Sequence, residues 1–349
     1  MANIIYGSMV DKNEPMYGKF IHPIKAVIQN ESNKWEKDKS ILDILYNVEK
    51  SNRYAETIMG ESDFETFMAK GEGQEAENDS VERTFSNTIE HIEFGKEFTI
   101  TKKMADDAKF GIGSDTLRKP ANFIRAYHRT RIDIAAKALI NGTGNSMIFN
   151  RANVKLTTGD GLSLFNGGHT YNTAKMGSAT QSNYFYGEFT EDGATFEKTL
   201  NHMSNRVRNF KDENGNTLGY VADTLIIPGN RPNLESLAKK VCGSERTAGS
   251  SNNDINTQYG NWTIVVLPGW ETTDDRFMVM SSEANKALWG NMFFNRVPLD
   301  ITSAIDPHTR NLFFNGYCRF GVGFGTWKHI ALGVNSDSAV TGATNLTLA

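Results

Sequence analysis

Apolar residues recur at helical spacing most clearly over residues 120–140, where Ile124, Tyr127, Ile134, Ala135, Ala138 and Leu139 form one stripe. Asn141-Gly142 ends the pattern and Pro120 suits a first-turn position, so the spacing predicts a 21-residue helix about 30 Å long. Arg131 falls inside the stripe, which a simple amphipathic pattern does not explain. A second stripe, Phe196, Leu200, Met203 and Val207, predicts a helix over 193–210. Shorter helical patterns cover 40–48 and 101–110. Ser40 caps the first, with Ile41, Leu42, Ile44, Leu45 and Val48 as its apolar face, and Gly111 closes the second.

Alternation with a period of two runs through Val81, Arg83 and Phe85, then Ile89, Ile92, Phe94, Phe98 and Ile100. It predicts extended strands around a polar excursion, a long hairpin projecting from the body. Further along, the pattern predicts a turn at 212–216, a strand at 224–227, a helix at 233–241 and strands at 262–267 and 276–280. A short segment follows at 284–289, and the aromatic, Gly-punctuated stretch 310–332 reads as paired strands. Residues before 40 carry little patterned apolar surface and read as an arm lying on something else. No period of 20 to 50 residues repeats, which excludes solenoids and propellers.

Charge sharpens the picture in two places. Residues 61–82 hold eight acids (Glu61, Asp63, Glu65, Glu72, Glu75, Glu77, Asp79, Glu82) against Lys70 alone, so the excursion is acidic and buries little. Around the long predicted helix, Arg118, Lys119, Arg125, Arg129, Arg131 and Lys137 oppose Asp133 alone. Each run on its own is an ordinary solvated surface. Placed on a projection, however, an acidic segment reaches a neighbouring copy more easily than its own basic helix, and repeated contacts of that kind build head-to-tail assemblies. Glu72, Glu75, Glu77 and Asp79 against Arg125 and Arg129 are the candidate inter-subunit contacts.

Composition bounds the chemistry. The 349 residues carry a formal charge of −4, so no domain-wide basic excess marks a nucleic-acid binder. Asn (34) and Gly (31) together make nearly a fifth of the chain, which favours turns and irregular backbone. Two cysteines, Cys242 and Cys318, exclude a disulfide scaffold and suit a reducing cytosol. The start lacks the pattern of a signal peptide, and no apolar stretch nears the roughly 20 residues of a membrane span. A protein made in the cytoplasm, without membrane contact, is expected.

The search for an active site returns mostly negatives: no GxxxxGK[ST], GxSxG or HExxH is present. Gly321-Val-Gly-Phe-Gly325 lacks the third glycine of a dinucleotide fingerprint and reads as strand glycines that allow close backbone approach. The seven histidines are scattered without metal-ligand spacing. One pair, Asp160 and His169, with Asp106 as a further carboxylate, supports a metal-assisted hydrolase as an alternative. A structural loop is favoured over it: Asp160-Gly161 makes a turn, Leu164 and Phe165 anchor it, and no cofactor is called for. Cys242 and Cys318 sit in apolar contexts and read as buried thiols.

The order of these parts resembles the tailed-phage major capsid proteins of the Hong Kong phage type. The residues carrying the likeness are Asp160-Gly-Leu-Ser-Leu-Phe165 with His169 and Asn172, then Ala222-Asp-Thr-Leu-Ile-Ile-Pro228 and the helix after it, and finally Phe320-Gly-Val-Gly-Phe-Gly-Thr-Trp327. The resemblance implies an α+β fold: an N-terminal arm (1–55), an extension loop (56–100), a peripheral domain (101–214) with its spine helix at 120–140, an axial domain (215–305), and a return to the peripheral domain with a tail (306–349). It also implies hexamers and pentamers of an icosahedral head around double-stranded DNA, held by weak non-specific contact, with a separate scaffold protein and a portal as further partners. An encapsulin-like compartment and another virion component are the non-enzymatic alternatives.

Overall fold

The computed structural model describes residues 4–37, 41–62, 64–76, 78, 81, 83–107, 114–171, 176–245 and 256–346. Among them the chain is α+β, and it opens with β1 (Ile5–Tyr6) and α1 (Gly18–Lys37). The latter corrects the expectation that residues before 40 bring little core. Tyr17, Ile21, Ile24 and Ile28 repeat at steps of four, three and four, and all are buried in the main core. α2 (Ile41–Leu45) is shorter than expected, Val48 lies exposed in β2 (Asn47–Lys50), and the expected cap Ser40 lies outside the described residues.

The hairpin follows as β3 (Ala55–Glu61) and β4 (Arg83–Glu90), then β5 (Ile92–Ile100). α3 (Lys102–Asp107) is the second short helix, and its predicted closure at Gly111 lies outside the described residues. α4 (Ser114–Ile140) is 27 residues long, about 40 Å, so Pro120 is its seventh residue and not part of its first turn. α1 lies along α4, with Trp35 stacked on His128 at 5.5 Å. Tyr46 fixes the α2 end by donating to the Ala135 carbonyl at 2.8 Å.

The middle of the chain forms two small hairpins, β6 (Ser146–Phe149) with β7 (Ala152–Lys155) and β8 (His169–Thr170) with β9 (Thr180–Gln181). Next come β10 (Tyr184–Gly187), α5 (Gly193–Arg208), β11 (Thr224–Pro228), α6 (Pro232–Gly243), β12 (Thr263–Leu267), β13 (Arg276–Met280) and α7 (Ser282–Ala287). The Asp192 carboxylate caps α5 by accepting from the Thr195 N–H. The chain closes with β14 (Asn291–Ile305), β15 (Leu312–Phe324), β16 (Ile330–Asn335) and β17 (Thr344–Asn345).

Two sheets organise these elements. In the first, β14 and β15 run antiparallel from Asn291↔Phe324 to Ile305↔Leu312, β5 flanks β15, and β1 and β2 both pair with β14. Cross-strand rings stack along it: Phe98 on Phe314 at 4.7 Å and Phe94 on Phe320 at 4.6 Å. α4 packs on this sheet so closely that a Cβ on Gly316 would meet the Phe123 ring at 2.3 Å. At Gly321 and Gly323 an added Cβ would meet the β4 end within 2.9 Å, the close approach expected of these glycines.

The second sheet has the order β12-β11-β13-β16-β10-β17, covered by α5 and α6. Sheet membership divides the chain differently from the expected boundaries. β14, inside the expected axial segment, pairs with β15, while β16 and β17, inside the expected return segment, join the sheet of β11. The stretch 310–332 therefore feeds two sheets, and its strands pair with elsewhere in the chain instead of with each other. The reason is the length of β14, a 15-residue strand without clean alternation that consumes the pairing edge of β15.

Candidate functional site

The hairpin is the first candidate. β3 and β4 pair antiparallel from Ala55↔Glu90 to Glu61↔Arg83, with an irregularity between Met59 and Glu61 at the point where the chain leaves the body. Beyond it Glu72 and Glu75 are exposed; Glu77 and Asp79 lie outside the described residues. Phe64, Phe67 and Met68 are exposed too, Phe67 completely. Sequence reasoning weighed the acids of this segment and passed over the apolar trio between them, although a Phe-x-x-Phe-Met run inside an acidic loop was itself a signal.

On α4, Arg129 is exposed and Arg125 directs Nε and Nη2 to the Glu31 carboxylate of α1, both at 3.4 Å. The hydrogen bond from Lys34, then that from Arg125, holds the Glu31 carboxyl below its ordinary range against the opposing effect of burial. Arg125, expected to serve a neighbouring copy, therefore has a partner in its own chain. Arg131 is accounted for as well. Its guanidinium lies over the rings of Tyr127 and Phe293, 5.6 and 5.2 Å from their centroids, and donates from Nη2 to Asn295 Oδ1 at 3.3 Å. An arginine in the apolar stripe is thus the bolt between helix and sheet.

The loop motif is the second candidate. Gly161 supplies the left-handed conformation (φ +80°) of the Asp160-Gly161 turn. Leu164 and Phe165 are buried, and Phe165 abuts Gly142 at the end of α4, donating its N–H to the Gly142 carbonyl at 2.9 Å. Asp160 Oδ2 sits 2.7 Å from His169 Nδ1, and its Oδ1 accepts from Thr158 Oγ1 at 2.6 Å and the Leu162 N–H at 3.2 Å. His169 Nε2 faces the Leu164 carbonyl at 3.3 Å and Asn183 Oδ1 at 3.2 Å. The His169 ring stacks on Trp327 at 4.3 Å. Burial alone pushes the Asp160 carboxyl up, but the hydrogen bond and charge of His169, with the bonds from Thr158 and Leu162, bring it below its ordinary value.

These contacts tie the end of α4, the β8 strand and the β15–β16 connection into one knot. Both side chains are buried, and each of their four polar atoms has a partner within the chain. Asp106, the third residue of the hydrolase alternative, is exposed on α3 and paired with Lys102 at 3.2 Å. Among the described residues, no group of three His, Cys, Asp or Glu could hold a metal ion. The geometry therefore does not gather the set that a metal-assisted hydrolase would use. Asn172, quoted with this motif, lies outside the described residues. Cys242 and Cys318 are buried, and burial pushes both thiols up to about 12.

No protein-family model matches the chain, and no curated protein matches it. Solved structures similar to it include the capsid of Myoviridae phage XM1, at 12% identity and a TM-score of 0.48, covering 84% of this chain and 90% of that one. Mycobacterium phage Patience gives 12% identity and 0.48, covering 97% and 94%. The virus-like particle from Pyrococcus furiosus gives 9% and 0.45, covering 90% and 99%. Likeness of this degree assigns no role to any residue. Among the described residues, no helix is long and apolar enough to cross a membrane.

Proposed function

We propose that this chain is the repeating subunit of a self-assembling shell of the tailed-phage major capsid type, a structural protein of the virion. The observation that carries this is the β3–β4 excursion, a projection whose apolar residues Phe64, Phe67 and Met68 the chain itself leaves uncovered. A monomer gains nothing from such a segment; a subunit that lays it on a neighbour does. The rest of the fold supplies what a tile needs. α1 and α4 on the β14–β15 sheet form a stiff platform, and the β11–β13 sheet with α5 and α6 forms a second body.

In this account hexamers and pentamers close by head-to-tail contacts. Glu72, Glu75, Glu77 and Asp79 of one copy face the basic side of α4 in the next, where Arg129 has no ion pair among the described residues. A separate scaffold protein, a portal and loosely held double-stranded DNA complete the set of partners, and the net charge of −4 suits a container that does not grip its contents. Sedimentation of the purified chain, alone and with a candidate scaffold, tests the assignment against a variant whose residues 62–82 are replaced by a short Gly-Ser turn. Large closed species for the parent and only small ones for the variant are expected. A parent that stays monomeric throughout contradicts the proposal. Nucleic acid inside the particles supports a capsid, and packaged enzymes would make it an encapsulin-like compartment instead.

A further inference from the structure

The chain leaves its first sheet for the hairpin at one point and returns at another, and a single side-chain hydrogen bond joins the two. β2 pairs with β14 and β5 with β15, whereas among the described residues β3 and β4 pair only with each other. Ser51 follows β2 on the way out, and His91 stands between β4 and β5 on the way back. Both are buried, and His91 Nε2 lies 2.8 Å from Ser51 Oγ. A third group decides which of them donates. The Glu56 carboxylate on β3 accepts from the Ser51 hydroxyl at 2.7 Å, so Ser51 Oγ accepts from His91 Nε2–H, as it does from the Arg53 N–H at 3.2 Å. In this arrangement His91 is neutral, with its proton on Nε2.

The other ring nitrogen, Nδ1, is a buried acceptor without a partner. It lies against Gly321 of β15, where a Cβ would come within 2.9 Å of it and where no side chain can answer it. The ring meets Phe294 edge-on at 6.3 Å. Phe294 forms, with Met292, Ile89 and Ile58, a small apolar cluster apart from the main core, which seats the hairpin root on the body. Asn87 adds a second tie, donating to the Thr157 and Phe324 carbonyls, both at 2.7 Å. His91 thus borders the packing on which the hairpin stands.

Proton uptake disturbs this arrangement in a definite direction. An imidazolium donates from both nitrogens, and here the new N–H has no acceptor. The charged groups that face His91 are Glu56 on β3, Arg319 on β15 and Arg296 on β14; Glu90 and Glu93, beside it on β4 and β5, are exposed. Burial, aided by the two arginines, outweighs Glu56 and holds the imidazole below its ordinary value. We propose that Ser51, Glu56 and His91 form a proton-sensitive latch at the hairpin root, closed while His91 is neutral and released when it takes up a proton, so that the hairpin changes its angle to the body. A released ring reaches water and binds its proton more readily, so latch and proton exclude each other and acid favours the released form. The device lies within one chain and does not need the shell reading; in a shell it makes the direction of the projection depend on pH.

Spin labels on Arg83→Cys, exposed at the start of β4, and Ile148→Cys, exposed on the β6–β7 hairpin of the body, report that angle as a distance. Cys242 and Cys318 are buried, and labelled chains are diluted into unlabelled parent so that each distance lies within one chain. One population is expected at about pH 8. A second, displaced population should grow several-fold by about pH 4.5, still above the value of about 4 to which His128 is lowered. His91→Gln keeps an N–H for Ser51 but takes no proton, and should hold the first population throughout. Ser51→Ala should show the second already at about pH 8, with an unchanged circular dichroism spectrum. Parent distances that stay constant over this range, or a His91→Gln chain that shifts as the parent does, overturn the proposal. Sedimentation of the same samples separates it from the shell assignment. Shells whose chains keep one distance at every pH remove the latch alone, and monomers whose distance responds to acid through His91 remove the shell and support the latch.

Discussion

Asp160 and His169 meet at 2.7 Å with side chains 1% and 0% exposed, and every polar atom of the pair has a partner inside the chain. A carboxylate and an imidazole in a loop invite a catalytic reading. Here both are consumed in holding three chain segments together. Asp160→Ala leaves His169 Nδ1, the Thr158 hydroxyl and the Leu162 N–H without their shared partner, and each buried polar group left unpaired costs about 1–3 kcal/mol. Urea unfolding of the variant should show a loss of that size. A change below about 1 kcal/mol would mean that the knot is dispensable.

His128 gives stability a pH dependence. Burial first, and the neighbouring Arg131 second, lower it to about 4, and burial lowers His329 to about 3. The unfolded chain takes up these protons near pH 6.5, before the folded chain does, so stability is full above that value and falls as pH drops toward 4. Urea midpoints at pH 7 and pH 5 should differ, with His128 alone contributing about 1–2 kcal/mol. His128→Gln should flatten that part of the slope, and a slope identical to the parent's would assign the effect elsewhere.

Gly316 fixes the distance between α4 and its sheet. Gly316→Ala places a methyl 2.3 Å from Phe123 Cζ and forces the helix or the ring to move. Overpacking of this kind costs about 1–3 kcal/mol, seen as a lowered thermal midpoint. Adding Phe123→Leu should restore part of it, because the overlap is with that ring, and the reduced freedom of the unfolded chain acts in the opposite, stabilising direction.

Cys242 and Cys318 are pushed up to about 12 by burial and should stay silent to a maleimide at pH 7 until the protein is unfolded. Two thiols per chain appearing only in denaturant is the expected result. Rapid labelling of the native protein would contradict that burial.

How much of this was legible before the fold was known follows from the period of each element. The α5 stripe lies where spacing placed it, since it shows one buried face at one regular period, and the strand Arg276–Met280 lies where its short apolar run placed it, with Phe277–Met280 all buried. The loop motif was readable as a turn with two anchors, but its third tie, the stacking of Trp327 on His169, joins residues 158 positions apart and leaves no local trace. α1 was missed because Pro23 and a polar outer face mask the repeat of Tyr17, Ile21, Ile24 and Ile28. β14 was missed because its first four residues are buried on both faces and the next four are half-buried, so it does not alternate. Arg131 broke the α4 pattern from sequence and proves to belong in it, since two aromatic rings solvate its charge. The left-handed backbone of Trp289 (φ +53°) gave no signal at all, because it is a property of the folded turn.

Negative-stain microscopy of the purified chain, alone and with a candidate scaffold, tests the central claim most directly. Closed shells, curved sheets or ring-shaped hexamers are the result predicted for a subunit whose projecting hairpin is covered only by its neighbour. Uniform monomers under every condition, scaffold included, would contradict it.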